Sequence, residues 1–183
     1  QFLWEMHNDP KTKAKTAPAD IAYDAYLAEV EEFGEPGGMM DHYATAIGGI
    51  LYQNFAEGVS LNKFDIDLGS FVLGDSLEPK DTKGILKRVK IGVQESVELI
   101  SQKYSDFDLS AHAISDMDQL LPLLNKDQQE VFTGAILNRE ITHTAYDMFS
   151  AKEFDHKEFG RLLNEHQEIL DMKLKISTPK INR

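Results

Sequence analysis

No regular element can run through Gly34-Glu35-Pro36-Gly37-Gly38, and that break organises the sequence around it. Upstream, Ala22, Ala25, Tyr26, Glu29 and Phe33 recur at helical spacing on one face, which predicts a helix from about Pro18 to Phe33. Downstream, Asp41 stands where an N-cap belongs, before a short helix with Ala44 and Ile47 that Gly48-Gly49 stops. At the beginning, Phe2-Leu3-Trp4-Glu5-Met6 reads as the tail of an apolar helix, followed by a polar connector from Asn8 to Thr16.

Three strands are expected next, at Ile50 to Phe55, Val59 to Phe64 and Ser70 to Leu73, separated by Ala56-Glu57-Gly58 and Asp67-Leu68-Gly69. After Pro79 the pattern turns helical. Leu86, Val89, Val93, Val97 and Ile100 form one stripe ending near Tyr104. Asp116 is expected to cap a short helix through Leu124, and a longer helix spans about Asp127 to Phe149. Asp155 with Glu158 resembles a capping box. The helix it opens carries Phe159, Leu162, Leu163, His166, Ile169 and Leu170 on one side. The fold class expected is α+β. Ser177-Thr178-Pro179 is a further helix start, yet Arg183 follows at once. That ending, and an opening on Gln1 in place of methionine, lead to the expectation of a chain truncated at both ends.

At 183 residues and 42% hydrophobic content the chain can bury a core. No apolar run approaches the ~20 residues needed to span a bilayer, so no membrane role is expected. A net charge of −12 repels phosphate backbones and argues against nucleic acid as a partner. The absence of cysteine excludes disulfides and thiolate metal sites and fits a cytoplasmic setting.

Few residues stand out as carriers of chemistry. Glu29 sits among apolar neighbours on its helix face. A carboxylate there either pairs within the core or serves as a hard oxygen ligand for a divalent cation. Asp41 follows Gly37-Gly38, which let backbone approach a ligand closely. It is either an N-cap or a base for a hydroxyl presented at the turn. Ser76 and Lys80-Asp81-Thr82-Lys83 open a helix and could receive phosphate, or could be a cap with surface lysines. Glu140-x-x-His143 and Glu153-x-x-His156 imitate di-metal bundle ligands, but a helix end is expected between them. His166 is expected in the core.

The run Ala28-Glu29-Val30-Glu31-Glu32-Phe33-Gly34-Glu35-Pro36-Gly37-Gly38-Met39-Met40-Asp41 resembles the galactokinase segment in which a Glu precedes, by twelve residues, the Asp closing a Gly-x-Met-Asp turn. Ala44-Thr45-Ala46-Ile47-Gly48-Gly49 continues the likeness, and Leu73-Gly74-Asp75-Ser76 looks like the strand opening the C-terminal domain of GHMP kinases. Phe159-Gly160-Arg161-Leu162-Leu163-Asn164-Glu165-His166, with Ser177-Thr178-Pro179-Lys180-Ile181-Asn182, is similar to a late stretch of that family. The resemblance to the GHMP kinase superfamily is collinear from about Tyr23 to the end.

This resemblance implies the end of an ATP-binding lobe over residues 1–65 and an incomplete, helix-rich, ferredoxin-like C-terminal lobe over 66–183. It implies an enzyme that moves the γ-phosphoryl group of ATP, with Mg²⁺, onto a hydroxyl of a sugar or sugar phosphate. Glu29 matches the residue that helps hold Mg²⁺, Asp41 the proposed base at the reacting hydroxyl, and Gly38 the glycine whose backbone approaches the sugar. The family's Gly/Ser-rich phosphate loop, its N-terminal sugar-gripping motif and its late glycine-rich motif are not found in the sequence. Gly84 stands where galactokinases place a sugar-contacting Tyr, and Asp81-Thr82-Lys83 is closer to mevalonate kinases. A mevalonate-type kinase, a non-catalytic ligand-sensing relative of the fold and a helical metal bundle are the alternatives.

Overall fold

Helix α1 (Pro18–Tyr26) starts on Pro18, whose missing N–H would go unbonded at that position anyway. Asp20 closes the first turn by accepting from the Ala17 N–H at 3.0 Å. The computed structural model describes residues 17–35, 37–77, 82–111 and 114–182, and the chain divides into two compact units between Asp65 and Ile66. The expected apolar helix tail at Phe2 to Met6 and the connector from Asn8 to Thr16 lie outside the described residues.

The first unit holds a helical pair and a hairpin. Past Tyr26 the backbone widens into a π-helical turn, Leu27–Glu31, marked by the Glu32 N–H bonding to the Leu27 carbonyl at 3.0 Å. Gly34 then stops the helix with φ +60. Its N–H reaches the Glu31 carbonyl and the Glu35 N–H the Val30 carbonyl, the paired bonds of a Schellman motif. Helix α2 (Met40–Ile47) packs along α1 and ends on Gly48, also at positive φ. Strands β1 (Ile50–Asn54) and β2 (Ser60–Phe64) form an antiparallel hairpin with Tyr52 opposite Asn62. Among the described residues of this unit, Ala22, Val30 and Tyr43 are the buried apolar ones.

The π turn corrects the expected apolar face. One extra residue in a turn rotates everything after it by about 100°. Val30 therefore points inward, while Phe33, expected on the face, is 74% exposed. A second correction concerns Ser70 to Leu73, which is not a strand. Asx turns bracket it, with the Gly69 N–H on Asp67 Oδ1 and the Leu77 N–H on Asp75 Oδ1, both at 2.8 Å. Among the described residues no strand pairs with it, and Phe71, Val72 and Leu73 are 80%, 96% and 99% exposed. The regular elements described in the second unit are all helical. With the hairpin of the first unit, the described residues make an α+β chain with a small antiparallel sheet.

In the second unit helix α3 (Thr82–Lys103) packs on α5 (Lys126–Ser150), and α5 packs on α6 (His156–Met172). Between α3 and α5 runs a short segment built of 3₁₀ turns around α4 (Met117–Leu120). Its Met117, Leu120 and Leu124 join Ile100, Phe132 and Ile136 in one core cluster. Full burial of a side chain such as Phe132 is worth roughly 1.5–3 kcal/mol. Small residues set the helix spacing: a Cβ on Gly92 of α3 would meet Val131 Cγ2 of α5 at 2.9 Å. Ser96 is fully buried one turn later because its hydroxyl bonds back to the Gly92 carbonyl at 2.6 Å.

Caps place the last two helices. Asn125 accepts from the Gln128 N–H at 3.0 Å and Gln128 Oε1 from the Asn125 N–H at 3.1 Å, so α5 begins before the expected Asp127. Asp155 accepts from the amides of Lys157 and Glu158, but the Glu158 carboxylate turns to Arg161 instead of completing a capping box. Leu163, expected on the packed side of α6, is half exposed, while Leu162 is buried. Past α6, Leu174 is held by Arg88, whose guanidinium bonds its carbonyl, and Lys175 pairs with Glu130. Thr178 opens one further helical turn, accepting the amides of Ile181 and Asn182 at its carbonyl.

Two glycines of these helices should respond oppositely to alanine. A Cβ on Gly134 would lie 2.6 Å from Leu174 Cδ2 and 3.2 Å from Lys173 Cβ, so Gly134→Ala is expected to destabilise by about 1–3 kcal/mol. Gly160 meets nothing within 4 Å, and Gly160→Ala should stabilise by up to about 1 kcal/mol. Thermal melts of both variants check the pair, and equal shifts would contradict the packing described.

Burial holds the His166 imidazole below its ordinary value of 6.5, so the unfolded chain takes up that proton first. The contribution is fully present above pH 6.5 and is lost as pH falls through the depressed value. Glu130 and Glu158 are held below 4.5 by Lys175 and Arg161, so their contributions fade in a separate, more acidic window. Urea midpoints should therefore begin to fall just below pH 6.5 in the native protein, and His166→Gln should flatten that first step while leaving the acidic one.

Candidate functional site

The face of α1 that carries Ile21, Ala22 and Ala25 meets the face of α2 that carries Asp41, His42, Thr45 and Ala46. Three of these residues are alanines, and their short side chains leave a cavity of about 330 Å³ between the helices. Glu29 lies at its rim on the π turn. That size suits a small ligand.

Helix α2 is clamped by the hairpin at both ends. Gln53 of β1 donates from Nε2 to the Met40 carbonyl at 3.2 Å, one residue before Asp41. Lys63 of β2 donates from Nζ to the Ile47 carbonyl at 3.3 Å, placing a cation at the negative end of the helix. Tyr43 is buried beneath α2 with its ring 5.8 Å from that of Phe55. The residues facing the cavity are therefore set on a fixed helix.

Both carboxylates singled out by the sequence open onto this cavity, in arrangements that differ from the expected ones. Asp41 is not an N-cap. Met39 holds that position, and Asp41 sits in the first turn with its carboxylate exposed and making no hydrogen bond or ion pair among the described residues. Its negative charge there interacts favourably with the helix dipole. Glu29 is not a buried carboxylate of an apolar face. The π turn leaves its side chain 77% exposed, and it bonds His42 Nε2 through Oε2 at 3.0 Å. Gly38 lies in the turn before α2, is exposed, and would have open space around a Cβ. The glycine in close packing is its neighbour Gly37, whose Cβ would meet Val30 Cγ2 at 3.2 Å.

His42 escaped the sequence reading. Its side chain is only 10% exposed, its ring stands edge-on to Tyr26 with centroids 5.9 Å apart, and its buried Nδ1 has no hydrogen-bond partner. The signal was present: His42 is one turn before Ala46 on the face of α2 that must meet α1. The Tyr26 hydroxyl in turn bonds Glu31 across the π turn, and that bond raises the phenol's pKa above its ordinary value.

The remaining candidates stay apart from this cavity or out of view. Lys80 and Asp81 lie outside the described residues, as do the side chains of Thr82 and Lys83. Glu140 bonds Arg139, and among the described residues no three His, Asp or Glu groups converge as metal ligands, so Glu140–His143 and Glu153–His156 form no di-metal cluster there. A larger groove of about 480 Å³ lies between α5 and α6, but its guanidinium, Arg161, is committed to Glu158 and Glu165. Chemistry, not size, favours the smaller cavity. No helix among the described residues is long and apolar enough to cross a membrane. No family model, curated protein or solved structure matches the chain.

Proposed function

We propose that this chain forms part of an ATP-dependent small-molecule kinase of the GHMP type, acting on a hydroxyl of a sugar or sugar phosphate. The observation that carries the reading is the convergence of Glu29 and Asp41, twelve residues apart in sequence, on one cavity between α1 and α2. In this reading residues 1–65 belong to the ATP-binding lobe and 66–183 to the ferredoxin-like C-terminal lobe.

Phosphoryl transfer asks a protein mainly for positioning and for neutralisation of charge. Glu29 suits Mg²⁺, which takes one or two carboxylates and completes its shell with water and nucleotide phosphates. When bound, that ion supplies charge neutralisation for the phosphates. Asp41, exposed and without a partner among the described residues, would accept the proton of the acceptor hydroxyl as its oxygen attacks phosphorus and ADP leaves. Gly38 leaves room for substrate to approach the backbone beside Asp41.

In the full natural protein containing this chain, Asp41→Asn should lower kcat by roughly 10²-fold with little change in KM. Glu29→Gln should raise the Mg²⁺ concentration required. ADP release across a panel of hexoses, sugar phosphates and mevalonate tests the acceptor class, and turnover of mevalonate alone would replace the sugar by a mevalonate-type substrate. An Asp41→Asn variant with undiminished kcat would remove Asp41 from the chemistry.

These 183 residues carry no Gly/Ser-rich phosphate loop, and backbone donors of that kind dominate phosphate binding. Calorimetry on the chain alone should therefore find ATP bound only weakly. Micromolar affinity would mean that other groups hold the phosphates.

A further inference from the structure

We propose that His42 is the positioning residue of the cavity: its Nε2–H holds the Glu29 carboxylate at the cavity that Asp41 also lines, so that the two acids can serve a divalent cation as donors. This rests on the reading of Glu29 as a metal ligand.

A glutamate as exposed as Glu29 samples many rotamers, and ordering it at the moment of binding costs conformational entropy. His42 removes much of that cost beforehand. Its own ring is buried on α2, braced by the edge-on Tyr26 ring, and it reaches Glu29 Oε2 at 3.0 Å. Facing a carboxylate oxygen, Nε2 must be the donor. The other ring nitrogen argues for the same role. Nδ1 is buried without a partner, so a phenyl ring would fill this place with no stranded polar atom. What histidine brings here that phenylalanine does not is the bond to Glu29. Because His42 adjoins Asp41 in the sequence, one turn of α2 carries both an acid and the group that aims the other acid.

The π turn supplies the second half of the arrangement. Glu29 lines the cavity together with Ala22 and Ala25, one turn further along, where the helix widens. On that turn its side chain stays 77% exposed and within reach of His42.

The test uses the chain with Mn²⁺ alone as the probe, reading paramagnetic broadening of amide resonances. In the native chain, broadening should centre on Glu29, Asp41 and Thr45, and Glu29→Gln should abolish it. Removing a group that orients a ligand typically weakens metal binding by 10-fold or more, so His42→Phe should need about 10-fold more Mn²⁺ for equal broadening. His42→Gln, which offers an amide N–H at a similar reach, should recover most of the loss. His42→Leu serves as the donor-free variant if His42→Phe does not fold, as judged by thermal melts. Native-like Mn²⁺ dependence in a folded, donor-free variant, alongside loss in Glu29→Gln, would overturn the positioning role alone. Unchanged broadening in Glu29→Gln would instead overturn the metal-ligand reading on which it rests.

Discussion

The hydrogen bond from the Glu32 N–H to the Leu27 carbonyl governs the first unit, because it commits the end of α1 to a wider turn. Val30 is turned inward by it, against Gly37, and closes the corner before α2. Phe33 is turned outward by the same rotation. Glu29 is set where a buried partner on the next helix can reach it. Such widened turns are rare and are often found at functional sites, since one inserted residue re-aims side chains without breaking the helix. The Schellman bonds at Gly34 then fix the exit direction, and the Tyr26–Glu31 bond spans the turn from outside.

The same logic of fixing one element by another continues along the chain. The β hairpin has little core of its own, yet Gln53 and Lys63 hold the two ends of α2, so sheet and site are mechanically one piece. In the second unit the close approaches at Gly92 and Gly134 let neighbouring backbone and side chains meet where any Cβ would intrude. Arg88, through Asp127 and the Leu174 carbonyl, ties together α3, the start of α5 and the residues after α6.

Much of this was legible in the sequence where local signals agreed. Pro18, Gly34, Gly48 and Asp155 mark helix ends through steric and hydrogen-bonding preferences that need no tertiary partner. Hairpin strands flanking Ala56-Glu57-Gly58 follow from the same kind of signal, as Gly58 takes φ +103 in the loop. What could not be read is what depends on contact. A π turn has the composition of an α helix, so the phase of Glu29, Val30 and Phe33 could not be counted correctly from spacing. Ser70 to Leu73 has the apolar content of a strand, but a strand exists only where another pairs with it. Of the site, both carboxylates stood out as types of residue. Their exposure, and the histidine between the helices, came only from the packing of α1 on α2.

The uncovered run from Phe71 to Leu73 has a consequence for how copies of the chain behave toward one another. Three large apolar residues in a row, held open between two Asx turns and free of any pairing strand among the described residues, offer a template for intermolecular strand addition. What opposes it is electrostatic. At a net charge of −12, copies repel before those segments can align, and that repulsion reaches only about 10 Å at 0.1 M salt and about 3 Å at 1 M. Added salt therefore shortens the reach of the repulsion that keeps these runs apart.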